Sequence, residues 1–80
     1  MITPLQVGRT VRLVRMDGCM AHIRGQVDEG IVIGFFRNRV YGDSEERLWC
    51  VIQLDNGESR ELCAEPSNWY QHEGVWEYRY

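Results

Sequence analysis

An Asp-Asn-Gly triplet at 55–57 constrains this chain more than any other feature. It sits between Leu48-Trp49-Cys50-Val51-Ile52-Gln53-Leu54 and Glu58-Ser59-Arg60-Glu61-Leu62. Asn-Gly flanked by alternating apolar residues is the strongest short-range signal for a β-hairpin. A hairpin fixes a register, and strand side chains alternate between faces, so the register decides which residues reach the core. Two registers compete. A two-residue Asn56-Gly57 loop pairs Leu54 with Ser59 and Ile52 with Glu61. A three-residue loop with Gly57 left-handed pairs Leu54 with Glu58, Ile52 with Arg60 and Cys50 with Leu62. The second gathers Leu48, Cys50, Ile52, Leu54 and Leu62 on one face, and is the register expected here. It turns Trp49, Val51, Gln53 and Cys63 outward.

Eighty residues allow one domain, spanning 1–80, with one small core. No window carries a sustained 3.6-residue apolar period, so the expected class is all-β. Thr10-Val11-Arg12-Leu13-Val14-Arg15 reads as a first strand, with Val11 and Leu13 on one face and Arg12 on the other. Met16 to Glu29 reads as a long loop, with room for a short strand around Ala21-His22-Ile23. Gly30-Ile31-Val32-Ile33-Gly34-Phe35-Phe36-Arg37 is the second strand, and Gly34 predicts a bulge or bend within it. Ile31, Ile33 and Phe35 are expected inward, Val32 and Phe36 outward. The bulge could exchange part of that set. Residues 41–46 form a polar turn. Glu65-Pro66-Ser67-Asn68-Trp69-Tyr70 predicts one helical turn, with Trp69 plugging the end of the core. Val75-Trp76-Glu77-Tyr78-Arg79-Tyr80 alternates and closes the chain as a fifth strand.

Five short strands with a helical turn before the last resemble an SH3-like small barrel, nearest its Tudor and KOW branch. The resemblance rests on Gly8 leading into Val11 and Leu13, on Gly30-Ile31-Val32-Ile33-Gly34, and on Cys50-x-Ile52-x-Leu54-Asp55-Asn56-Gly57. It covers roughly residues 7–70 and implies a five-stranded barrel. It implies no single activity, because this fold hosts many.

In that topology strands two and three are neighbours, and Val32, Phe36, Trp49 and Val51 form one outward apolar patch. Near-continuous apolar strands usually have both faces covered. Either the chain covers the patch with its own long loop or last strand, or the patch is an interface. Trp76, Tyr78 and Tyr80 share a face of the last strand, and either close the core or extend that interface. Val32, Phe36, Trp49, Val51, Trp76 and Tyr78 are therefore expected to bind a partner. The partner is a second copy or another protein, since oligomerisation is a common remedy for a small core.

Charge is unevenly spread. Residues 1–40 hold six Arg and three acids; residues 41–80 hold three Arg and nine acids. Pairing of the two halves across an interface would follow from that asymmetry. The alternative is an RNA- or DNA-binding barrel using Arg12, Arg15, Arg37 and Arg39, with Phe36 as a stacking platform. A net charge of −3 argues against it.

No catalytic or metal signature stands out, and no cofactor is expected. Cys19-x-x-His22, with Cys63 or His72, is one pair where a structural zinc site needs two. Cys19 and His22 lack an orienting third group for nucleophilic catalysis. An aromatic cage would need Phe36, Tyr41, Trp49, Trp69 and Tyr70 to converge. The Gly30–Phe36 stretch also looks like the type II dihydrofolate reductases, pore-forming tetramers of similar chains. Their active-site Val-Gln-Ile-Tyr falls near Arg60-Glu61-Leu62-Cys63 here, which removes the residues that carry the chemistry. Three irregularly spaced cysteines, no long apolar run and no leader-like first residues give the expectation of a cytoplasmic chain away from membranes.

Overall fold

The hairpin adopts the three-residue register. Cys50 lies opposite Leu62 and Ile52 opposite Arg60, and the Leu54 N–H donates to the Glu58 carbonyl at 2.8 Å. Gly57 sits at φ +91°, a left-handed conformation that other residues rarely adopt. The Asn56 side chain accepts from the Glu58 N–H at 2.9 Å and stiffens the turn.

A computed structural model describes residues 3–17, 20–39, 42 and 44–80, apart from the side chains of residues 20–22. The strands are β1 (Thr10–Asp17), β2 (Met20–Asn38), β3 (Arg47–Leu54), β4 (Ser59–Cys63), β5 (Trp69–His72) and β6 (Val75–Arg79). A single 3-10 turn, Pro66–Asn68, precedes β5, as the proline predicted. The six strands form one mixed sheet in the order β4-β3-β2-β1-β6-β5, with β1 and β6 parallel and every other pair antiparallel.

Two elements differ from expectation. The stretch read as a loop from Met16 to Glu29 is mostly strand. β2 begins at Met20 and its first half pairs with β1, from Thr10 opposite Ile31 to Asp17 opposite Met20. Ala21, Ile23 and Val27 alternate with His22, Arg24, Gln26 and Asp28, but the glycines at 18 and 25 read as loop, so the expectation stops at a short strand around Ala21-His22-Ile23. The second difference is β5. Trp69–His72 forms a hairpin with β6 through Glu73 and Gly74, both at positive φ (52° and 77°). That is the backbone of a type I′ turn, whose right-handed twist suits a two-residue hairpin.

One inner face carries the core. Val11, Leu13, Val32, Cys50, Ile52 and Leu54 are buried, together with Leu5, Ala64 and Trp69. Leu5 arrives on an N-terminal arm pinned at both ends. The Thr3 hydroxyl donates to the Ala64 carbonyl at 2.7 Å, and the Gly8 N–H donates to the Val32 carbonyl at 2.8 Å. Trp69 closes the core as expected, its indole N–H donating to the Cys63 carbonyl at 2.8 Å.

The inward set of β2 corrects the sequence reading. Val32, expected outward, is 0% exposed, while Ile31 and Ile33 are 44% and 51% exposed. The reason is a bulge: Val32 faces Ile52 but Gly34 faces Val51, leaving Ile33 as the extra residue. Before the bulge the even positions point inward. After it Phe35 does, opposite Cys50. The close approach of β3 also explains Gly30, where a Cβ would lie 2.6 Å from Ile52 Cγ2 and 2.8 Å from the Gln53 carbonyl.

Candidate interaction surface

The outer face of β2 and β3 is built in rows. Phe36, Trp49 and Cys63 align across β2, β3 and β4; Gly34, Val51 and Glu61 form the next row; Ile31, Gln53 and Ser59 the third. Phe36 and Trp49 lie nearly parallel, with ring centroids 6.5 Å apart and 17° between planes. Phe36, Trp49 and Val51 are half-buried, and Ile31 and Ile33 extend the apolar strip into solvent. The Trp49 indole N–H is hidden from water and meets no acceptor among the described residues. Leaving such a donor unpaired costs roughly 1–3 kcal/mol.

Of the residues expected at this surface, the structure keeps Phe36, Trp49 and Val51 together. It removes Val32, which the bulge turns into the core. It also removes Trp76 and Tyr78. The parallel pairing of β6 with β1 sets Trp76 opposite Val11 and Tyr78 opposite Leu13, so both rings pack against the core. Tyr78 meets Trp69 with centroids 5.4 Å apart. Only Tyr80 of that aromatic trio stays exposed, with the Arg60 guanidinium 5.7 Å from its ring centroid. The two segments that could have folded over Trp49 are engaged elsewhere. The first half of β2 pairs with β1, and β6 lies between β1 and β5.

The outer face over β1 and β6 is made differently. Val14 and Glu77 are both 0% exposed there, outside the main core. Arg24 Nη1 reaches both Glu77 oxygens, at 2.5 and 2.6 Å, and Arg79 Nε donates to one of them at 2.8 Å. Burial pushes the Glu77 carboxyl up, but the hydrogen bonds and charges of Arg24 and Arg79 outweigh it and hold the group below its ordinary 4.5. Arg79 also lies over the Tyr70 ring, 4.6 Å from its centroid. Arg12 completes the cover, within 3.7 Å of Glu29 and 3.8 Å of Glu73. Sequence reasoning missed this cluster. Position 24 lay in a supposed loop, and no local pattern ties it to position 77.

The arginines named for nucleic acid do not form one face. Arg12 is half-buried and paired, and it stands opposite Glu29, eight positions before Arg37 on β2. Arg15 lies further still from Arg37 and Arg39, toward the Asp17 end of β1. The cage candidates do not converge either. Trp69 is in the core, Tyr70 is on the outer side of β5 beneath Arg79, and Phe36 and Trp49 are across the sheet. Tyr41 and Cys19 lie outside the described residues, as does the His22 side chain.

Among the described residues, no group of three His, Cys, Asp or Glu is placed to hold a metal ion. Cys50 is a core residue whose thiol donates to the Leu62 carbonyl at 3.3 Å. Burial pushes it up to about 11, so at neutral pH it is a small apolar side chain and no nucleophile. His72 stands 3.7 Å from Glu73 at the β5–β6 turn. No helix among the described residues is long and apolar enough to cross a membrane. Comparisons with protein-family models, curated proteins and solved structures return no match to this chain.

Proposed function

We propose that this chain is a non-enzymatic assembly module that self-associates through the outer face of β2 and β3. The observation that carries this reading is the strip in which exposed Ile31 and Ile33 adjoin half-buried Phe36, Trp49 and Val51, on a sheet whose other outer region is mostly covered by ion pairs, with Val27 and Tyr70 part-exposed on it. Contiguous exposed apolar side chains on a small protein mark contact surfaces. A stacked Phe-Trp pair is the kind of rigid aromatic anchor that dominates interface energetics.

One feature favours a second copy as the occupant. An 80-residue chain buries a small core, and a shared apolar face enlarges it.

The framework reads as a variant of the SH3-like small barrel. Support comes from the β2-β3-β4 meander and the 3-10 turn that follows it. The β5–β6 hairpin and the parallel β1–β6 pairing are where it departs.

Size-exclusion with light scattering, recording the 260/280 nm absorbance ratio, tests the function. A mass of at least twice 9.4 kDa with a protein-like ratio, falling to the monomer in Trp49→Glu, is the expected result. A 9.4 kDa monomer at every concentration would reject self-association. A high ratio lost on adding salt would favour the nucleic-acid reading instead.

A further inference from the structure

We infer that a cleft between the N-terminal arm and the start of β6 binds a small monocarboxylate with a compact apolar body. The cleft holds about 250 Å³, below the range of drug-sized sites and suited to a ligand of one amino-acid unit. Leu5, Val75 and Trp76 supply apolar wall, and Gln6, Arg9 and Thr10 supply polar groups. No residue of the β2–β3 strip lines it, and it does not depend on that strip.

Both walls are pinned in the free protein. The Arg9 N–H donates to the Gln6 carbonyl at 3.1 Å, closing a turn in which Gly8 takes φ +90°. That turn is clipped to β2 by Gly8 to Val32 at 2.8 Å and by Val32 to Arg9 at 3.1 Å. Opposite, the tight Glu73-Gly74 turn fixes the start of β6. A preformed cleft spares a ligand the cost of ordering it.

Charge names the ligand class. Arg12, Arg24, Arg47 and Arg79 each hold a carboxylate, whereas Arg9 has none among the described residues. A guanidinium fork matches a carboxylate through two parallel hydrogen bonds. Arg9 is the one cation lining the cleft, and the chain carries net charge −3. A single cation on an acidic protein suits a monoanion better than a phosphate dianion, and the apolar wall suits a ligand with an aliphatic or aromatic body. Such a carboxylate comes either from a free small acid or from the C-terminus of a peptide.

The test is titration of the wild-type protein with N-acetyl-leucine, following the Trp76 indole N–H and the Arg9 amide by NMR, to about 20 mM. Both resonances shift with a millimolar dissociation constant, which is what a ligand of this size can reach. N-acetyl-leucinamide, which lacks the charge, leaves them in place. Arg9→Gln weakens binding about tenfold or more, while Arg60→Gln, away from the cleft, does not. A tripeptide ending in leucine that binds more tightly than N-acetyl-leucine assigns the source to a peptide terminus, and weaker binding assigns it to a free acid. No shift at either resonance, equal shifts with the amide, or unchanged binding by Arg9→Gln would each overturn the inference.

Discussion

The two outer regions of this sheet are solved in opposite ways. Over β1 and β6 the chain covers its own backbone. Arg24 and Arg79 pair with Glu77, which is buried as Val14 is, and Arg12 pairs with Glu29 and Glu73. Long cationic side chains can seal an apolar surface while their heads reach water. Over β2 and β3 no such cover is provided among the described residues. Phe36, Trp49 and Val51 lie half-open, and the isoleucines beside them face solvent. The same chain thus covers most of one outer region with ion pairs, leaving Val27 and Tyr70 part-exposed on it, and leaves the other apolar. That difference, more than the apolar residues taken alone, is the ground on which β2–β3 is proposed as the contact surface.

The largest effect should come from breaking the sealed side. Glu77→Ala strands two guanidiniums over a buried hole. Removing one partner of a buried pair costs about 3–5 kcal/mol. Arg24 and Arg79 are about a third exposed and can turn to water, so the lower end, about 3 kcal/mol in urea unfolding, is expected. A loss under about 0.5 kcal/mol, the range of ordinary surface changes, would show that the cover is not structural.

Gly30→Ala tests the crossing between the two regions. Its Cβ would press on Ile52 and on the Gln53 backbone, and overpacking of this kind costs about 1–3 kcal/mol. A thermal midpoint equal to wild type would mean that β2 and β3 are further apart than described.

Acid offers a reversible version of the first test. The Glu77 carboxyl is lower in the folded chain than its ordinary 4.5, so the unfolded chain binds the proton more readily. Its stabilisation is therefore present above pH 4.5 and lost as pH falls below that value toward its folded pKa. Denaturation midpoints measured from pH 6 downward should fall more steeply in wild type than in Glu77→Gln. Parallel curves would contradict the assignment.

Much of this was legible in the sequence, and the losses have physical causes. The Asp55-Asn56-Gly57 register could be read because turn chemistry and face coherence agreed. The bulge at Ile33 could be suspected from Gly34, but not which side of it would invert, so Val32 was assigned to the wrong face. Phe36, Trp49 and Val51 survived because they lie beyond the bulge or on an unbroken strand. The Glu77 cluster was invisible, since it joins positions 53 residues apart through the unforeseen start of β2. Trp76 and Tyr78 went to the core because β6 joined β1 in parallel, a pairing that no local pattern announces.

On the open side the smallest stability effect is expected. Ile31→Lys and Ile33→Lys should each change folding free energy by less than about 0.5 kcal/mol while weakening association. A large stability loss would mean that these side chains are covered in the monomer.

The most direct test compares the two regions in one experiment. Two-dimensional NMR spectra across a dilution series report where copies meet. The account predicts concentration-dependent shifts at the Trp49 indole N–H and at the Ile31 and Ile33 methyls. It predicts none at Val14, Arg24 or Glu77. Shifts confined to the β1–β6 region, or spectra unchanged by dilution with the mass of a monomer, would contradict it.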